Sequence, residues 1–148
     1  MPGSARLTRG SRGQRIGPGI SRAPSLEKRC KDLLEAWGWV ADVVQFRQRG
    51  GKLKDLYECI DIVAVHETAG PLAIQVTTDP NKGARKKKID ASNGGTTWAM
   101  TTPLVLWIYT SIDSDATYRI FRYQHDTKSA KLCEVTLEEL TCRASDPL

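Results

Sequence analysis

Residues 60–80 read IDIVAVHETAGPLAIQVTTDP. Two apolar runs, Ile60 to Val65 and Leu72 to Val76, flank the turn Glu67-Thr68-Ala69-Gly70, so the segment reads as a β-hairpin whose strands are built for burial. Three polar residues break that pattern: Asp61 in the first strand, Gln75 and Thr77 in the second. Side chains alternate along a strand, so Gln75 and Thr77 share one face while Leu72, Ile74 and Val76 share the other. Hairpin pairing brings Asp61 level with Gln75 or diagonal to it, and a carboxylate, an amide oxygen and a hydroxyl then converge at the end of a sheet. An unpaired buried carboxylate is costly. Two arrangements relieve that cost: an edge strand whose polar face meets solvent, or a hard cation such as Mg²⁺, which takes oxygen ligands including one or two carboxylates.

N-terminal to the hairpin, Leu26, Cys30, Leu33, Leu34 and Trp37 fall at helical spacing after Ser25, with Gly38 as a stop, which predicts a first helix. Trp39 to Phe46 reads as a strand, and Arg47 to Lys54, with its Gly50-Gly51 pair, as a loop. Leu56 to His66 and Leu72 to Thr78 are the hairpin strands. Asp79 and Pro80 read as cap and first residue of a basic helix over Lys82 to Ala91. Leu104 to Tyr109 is a nearly continuous apolar run, as expected for a strand covered on both faces. Tyr118 to Tyr123 and Ala130 to Val135 form a second hairpin around Asp126-Thr127-Lys128, and a helix from Thr136, with Glu139 completing a capping box, follows. The order predicts an α/β sandwich with a mixed central sheet flanked by helices.

At 148 residues the chain suits one domain, expected over 25–148, and its 40% hydrophobic and 26% charged residues are ordinary globular composition. No apolar run approaches the roughly 18 residues of a membrane span, so no membrane partner is expected. The net charge of +5 is uneven: residues 1–24 hold Arg6, Arg9, Arg12, Arg15 and Arg22 and no acid, and removing these five from the 22 basic residues leaves 17, matching the 17 acidic ones. Rich in Gly, Pro and Ser, this tail is expected to be disordered. It reads as a solvated leader, an arm that contacts phosphates, or a transit peptide. Cys30, Cys59, Cys133 and Cys142 form no CxxC pair, and His66 and His125 lack zinc-ligand spacing. Cys30 and Cys59 are expected as reduced core residues, in keeping with a cytoplasmic setting. No phosphate-binding loop is present, and Trp37, Trp39, Trp98, Trp107 and Tyr109 could stack on bases but in these apolar patterns read more simply as core.

The chain order of Leu26-Glu27 on an early helix, a strand, IDIVAV with its aspartate, a turn, AIQVTT with polar residues at alternate positions, and then ARKKKI resembles the PD-(D/E)XK nuclease superfamily. More narrowly it is similar to Holliday-junction-resolvase-like nucleases and their phage-type relatives, over about Ser25 to Tyr109. The resemblance implies a restriction-endonuclease-like sandwich and a Mg²⁺- or Mn²⁺-dependent endonuclease that hydrolyses DNA, branched DNA included, as a homodimer in a phage-infected or bacterial cell. By the same resemblance Asp61 is the metal-binding aspartate, Gln75 stands where the family usually has Glu, and Thr77 where it usually has Lys. Glu27 matches an additional acidic metal residue; read from the sequence alone, it is equally an acid stabilising a helix N-terminus.

Gln75 keeps an oxygen ligand but removes a negative charge, and Thr77 removes the cation expected to act on the phosphate. The basic helix is the place to find a replacement. Arg85 and Lys88 lie three residues apart and share a face that can swing over the strand ends. Alternatively Lys82, Arg85, Lys86, Lys87 and Lys88 form a solvated face or hold DNA without entering the chemistry. Asp55, in the family-like DLY segment, could add a carboxylate nearby. The rival readings are a catalytically inactive DNA-binding protein on the same fold and a protein-interaction module.

Overall fold

The computed structural model describes residues 24–47, 49–51, 53–111, 117–125 and 129–142. The basic tail, but for Pro24, and the expected turn at 126–128 therefore lie outside the described residues. Helix α1 (Leu26–Ala36) begins where Ser25 Oγ accepts the Lys28 N–H at 3.2 Å and ends before Gly38, whose φ is 91°. Strands β1 (Val40–Val43), β4 (Ile62–His66), β5 (Gly70–Thr78), β6 (Leu104–Tyr109), β7 (Tyr118–His125) and β8 (Ala130–Val135) form one six-stranded sheet in the order β1-β4-β5-β6-β7-β8. Only β5 and β6 pair in parallel; the other neighbours are antiparallel. A parallel pair needs a long crossover, and here α2 (Lys82–Asp90) and α3 (Asn93–Thr101) fill it.

Helices cover both faces of this mixed α/β sheet. On one face, Cys30 and Leu34 of α1 and Leu137 and Leu140 of α4 (Leu137–Cys142) meet Ile62, Leu72, Ile74, Val105 and Trp107. On the other, Ile89 of α2 and Trp98 of α3 pack with Ile60, Ala73, Leu104 and Tyr123. The continuous apolar run of β6 is buried at every position, as a strand covered on both sides requires. Burying a side chain such as Leu34 is worth about 1.5–3 kcal/mol, and this two-sided burial is what holds the layers together. The capping box of α4 is formed reciprocally: Thr136 N–H donates to Glu139 Oε1 at 2.7 Å and Glu139 N–H to Thr136 Oγ1 at 3.0 Å. Among the described residues no helix is long and apolar enough to cross a membrane.

Four local expectations are corrected, and one helix was not expected. Trp37, read as core, ends α1 at the surface, 42% exposed. The strand expected over Trp39 to Phe46 is broken at Val44: β1 stays in the main sheet, while β2 (Gln45–Arg47) leaves it to pair with β3 (Leu53–Asp55) as a separate ribbon. The strand expected over Leu56 to His66 is interrupted by a tight turn, closed by two backbone hydrogen bonds between Leu56 and Ile60 and carrying Tyr57 and Glu58 at φ 51° and 64°. Asp79 does not cap α2; Asp79–Asn81 is a 3₁₀ turn, and the cap is Asn81, without a side-chain bond. Helix α3 was hidden by Asn93, Gly94, Gly95, Thr96 and Thr97, all poor helix formers. Ser92 starts it by accepting the Gly95 N–H at 2.9 Å.

Gly95 is kept by tertiary contact. A Cβ there would lie 2.6 Å from the Cys59 sulfur. Helix propensity favours Ala over Gly by about 1 kcal/mol, but overpacking costs about 1–3 kcal/mol. Gly95→Ala is therefore expected to destabilise the chain in urea unfolding. Adding Cys59→Ala, which removes the obstructing sulfur, is expected to recover part of that loss.

Candidate functional site

The site is built at the junction between the main sheet and the β2–β3 ribbon. The β4–β5 register pairs Ile62 with Ile74, which sets Asp61 level with Gln75, as the hairpin reading expects. Asp61 backbone locks the junction: its N–H donates to Ile74 O at 2.9 Å, and its carbonyl accepts the Val44 N–H at 2.8 Å. Its side chain is 2% exposed, and Oδ2 accepts the Val76 N–H at 2.8 Å and the Gln75 Nε2–H at 2.6 Å. Asp61 thus satisfies a ladder N–H where regular pairing of β4 stops. The polar face is not open to solvent: Gln75 is 1% and Thr77 5% exposed.

One atom in this cluster is left over. Gln75 Oε1 is buried with no hydrogen-bond partner among the described residues. Gln75 belongs to the same face as Ala73 and Thr77, and the parallel register sets Leu106 and Ile108 of β6 beside Gln75 and Thr77. An amide oxygen among such neighbours carries its full desolvation cost, which a cation or a water would relieve.

Asp55, at the end of β3, comes to the site because the ribbon folds back across it. Its Oδ1 accepts from Gln45 Nε2 at 2.9 Å, and its Oδ2 lies 3.5 Å from Lys88 Nζ. The two carboxylates perturb each other. Burial first, then the Asp55 carboxylate and the more distant Glu27, push Asp61 up to about 8. Burial alone would raise Asp55 as well, but hydrogen bonds from Asp61 and Gln45 and the Lys88 charge outweigh it and hold Asp55 below the usual range. The two therefore titrate as a pair, with the neutral acid favoured at Asp61 and the charged form favoured at Asp55 beside Lys88.

The structure brings together Asp61, Gln75 and Thr77 on one face and adds Lys88. Helix α2 is set in rotation by buried Ile89 and by Asp90, whose Oδ1 accepts the Tyr123 hydroxyl at 2.5 Å, and Lys88 is thereby directed at Asp55. Arg85, half-buried one turn earlier, makes no ion pair among the described residues. Lys82 lies over the Phe121 ring, 3.9 Å from its centroid, and Lys86 pairs with Asp90 at 3.1 Å, so these two also bind within the fold. Lys87 is exposed. Glu27 is half-buried in the first turn of α1, and it reaches Asp61 through its charge only. The residue whose role the sequence left vaguest is Asp55; its signal was the alternation Leu53-Lys54-Asp55, hidden inside an apparent loop.

No protein-family model, curated protein or solved structure matches this chain. The chemistry of the site rests on its own donors. Among the described residues no three His, Cys, Asp or Glu side chains gather as a metal site. The oxygen donors on hand are two carboxylates, Asp61 and Asp55, and the unpartnered amide oxygen of Gln75. Hard oxygens of this kind suit Mg²⁺ or Mn²⁺, and a cation there would relieve both the carboxylate repulsion and the orphaned amide.

The raised Asp61 value fixes a pH dependence. Folding favours the neutral acid, so Asp61 stabilises the fold fully below about pH 4, its unfolded value, and this contribution is lost as pH rises through about 8. In buffer with chelator, unfolding stability is expected to fall from about pH 5 to about pH 9. Asp61→Asn keeps an oxygen acceptor for Val76 and Gln75 but no ionisable proton; it is expected to flatten that slope.

Proposed function

We propose that this chain is a metal-dependent endonuclease of the restriction-endonuclease-like kind, hydrolysing DNA phosphodiester bonds, branched DNA included. The observation that carries the reading is the buried Gln75 Oε1, without a hydrogen-bond partner among the described residues, beside the Asp61 and Asp55 carboxylates, with the Lys88 ammonium 3.5 Å from Asp55. The mixed sheet, with its β5–β6 crossover through α2 and α3 just after the polar strand, supports the same fold. Asp61, Asp55 and Gln75 would hold Mg²⁺ or Mn²⁺, with Glu27 contributing charge. When bound, such an ion polarises a phosphodiester and makes a water more acidic.

The remaining work falls to the chain's own groups. Lys88 takes the place of the lysine that Thr77 lacks: its charge, positioned by Asp55, offsets negative charge growing on the phosphate. Thr77 cannot do this, being a neutral hydroxyl. Arg85 and Lys87, on α2 and without ion-pair partners among the described residues, hold flanking phosphates and set register without reading sequence. The chain acts as a homodimer on two strands, and β1 offers a surface for it: an edge strand exposing Val40 and Val43, next to Val65 and Trp37.

A second reading, a DNA-binding protein without catalysis, is favoured by the closure of the polar face, since Asp61 and Gln75 are nearly inaccessible. A cleavage assay on four-way-junction, flapped and linear DNA with Mg²⁺ or Mn²⁺ separates the two. The nuclease reading expects cleavage that Asp61→Ala abolishes and that Lys88→Ala slows on the order of 10²- to 10³-fold, with a smaller loss for Arg85→Ala. Absence of cleavage on every substrate, with DNA affinity untouched by Asp61→Ala, would leave the binder.

A further inference from the structure

The turn between β3 and β4 has a second feature that the hydrolytic site does not use. Tyr57 is at φ 51° and 52% exposed, although a tyrosine is more comfortable buried, and the adjacent Glu58 is at φ 64°. Such backbone is costly for residues other than glycine and persists only where its surroundings enforce it. Three contacts enforce it here. The Leu56–Ile60 bridge closes the turn, Ser92 Oγ donates to the Tyr57 carbonyl at 2.7 Å, and the ring lies so close on Gly94 that a Cβ there would be 2.3 Å from it. The backbone of the turn is held and one side of the ring packs on Gly94, yet Tyr57 stays about half exposed.

Tyr57 stands between two clefts. One, of about 660 Å³, is lined by Lys54, Glu58, Lys88 and Asn93 among others. The second, of about 420 Å³, is lined by Thr97, Trp98, Thr101 and Thr102. Tyr57, Asn93 and Gly94 belong to both. Volumes of this size suit small-molecule ligands, which occupy roughly 300–1,000 Å³. Lys88 joins the larger cleft to the candidate hydrolytic site, because the same ammonium faces Asp55. Among the described residues the Lys54 ammonium makes one ion pair, an exposed one with Glu58 at 3.5 Å, a contact weak enough to be exchanged for a phosphate. The Asn93 side chain makes no hydrogen bond among the described residues, and its amide can both donate to and accept from a base edge.

We infer that Tyr57 is a stacking platform for an unpaired nucleotide of a DNA strand, its base lying in one of these clefts against the ring and its phosphate beside Lys88 and Lys54. This inference rests on the nucleic-acid reading above and sharpens it: the substrate has an unpaired nucleotide next to the scissile phosphate. An outward-facing aromatic ring with cations at one side and an amide at its base is the combination that binds single strands, because every base has a face to stack. Duplex DNA, whose bases are already stacked, leaves the ring without a partner.

The test uses the full chain and short single-stranded deoxyoligonucleotides in chelator, where nothing is cleaved. With 2-aminopurine as the probe base, binding is expected to quench its fluorescence. Tyr57→Leu is expected to weaken binding roughly 5- to 100-fold, while Tyr57→Trp retains it. Ultraviolet crosslinking of a 5-iododeoxyuridine oligonucleotide to the unaltered chain needs no folded variant and is expected to map to Tyr57 by mass spectrometry. A crosslink elsewhere, or none, overturns the inference, as does equal quenching in Tyr57→Leu. The two readings fail separately: Asp61-dependent cleavage without a Tyr57 crosslink removes the platform alone, and a Tyr57 crosslink without cleavage removes the nuclease alone.

Discussion

The hydrogen bond from Val76 N–H to the Asp61 carboxylate, 2.8 Å long inside a nearly closed site, is the contact on which the surrounding architecture turns. It lets β4 stop pairing with β5 without abandoning a buried N–H, which would cost the desolvation of that group. Because β4 begins only after Asp61, the preceding chain is free to make the Tyr57–Glu58 turn and leave the main sheet. The β2–β3 ribbon then lies across the strand end, bringing Gln45 and Asp55 with it. A neutral residue at position 61 would meet the same geometric demand with less electrostatic cost, so the acidic group answers to something besides folding.

Magnitudes favour that view. A buried carboxylate beside another is opposed both by desolvation and by repulsion, and the fold answers only in part: Asp55 gains Lys88 and Gln45, while Asp61 gains two N–H donors and still titrates near 8. Leaving Gln75 Oε1 unpartnered adds a further unfavourable term. Local conflicts of this kind collect at functional sites, where a ligand resolves them. The strained Tyr57–Glu58 turn, two residues beyond Asp55, belongs to the same stretch of chain.

The sandwich was legible because its strongest signals are long and redundant: helical spacing in α1, hairpin alternation around Gly70, and six consecutive apolar residues in β6. Asp61, Gln75 and Thr77 were legible for the opposite reason, as polar interruptions of such patterns. What the sequence hid was decided by contacts between distant segments. Val44 gives no sign that the chain changes sheets there, and the glycines in the first turn of α3, which hide the helix, are required because Tyr57 and Cys59 occupy the space a side chain at 94 or 95 would need. Between Arg85 and Lys88 the sequence could not choose; Ile89 burial and the Asp90–Tyr123 bond set the helix rotation that presents Lys88. The assignment of Asp79 as a helix cap failed because Pro80 is equally at home in the 3₁₀ turn that precedes α2.

Mn²⁺ binding, followed by the loss of the free-ion paramagnetic resonance signal, shows whether Asp61 and its neighbours hold a divalent cation. A cation site here gives saturable binding of one ion per chain, abolished in Asp61→Asn and weakened in Asp55→Asn, with both variants folded. Absence of saturable binding, or binding indifferent to both substitutions, would contradict it.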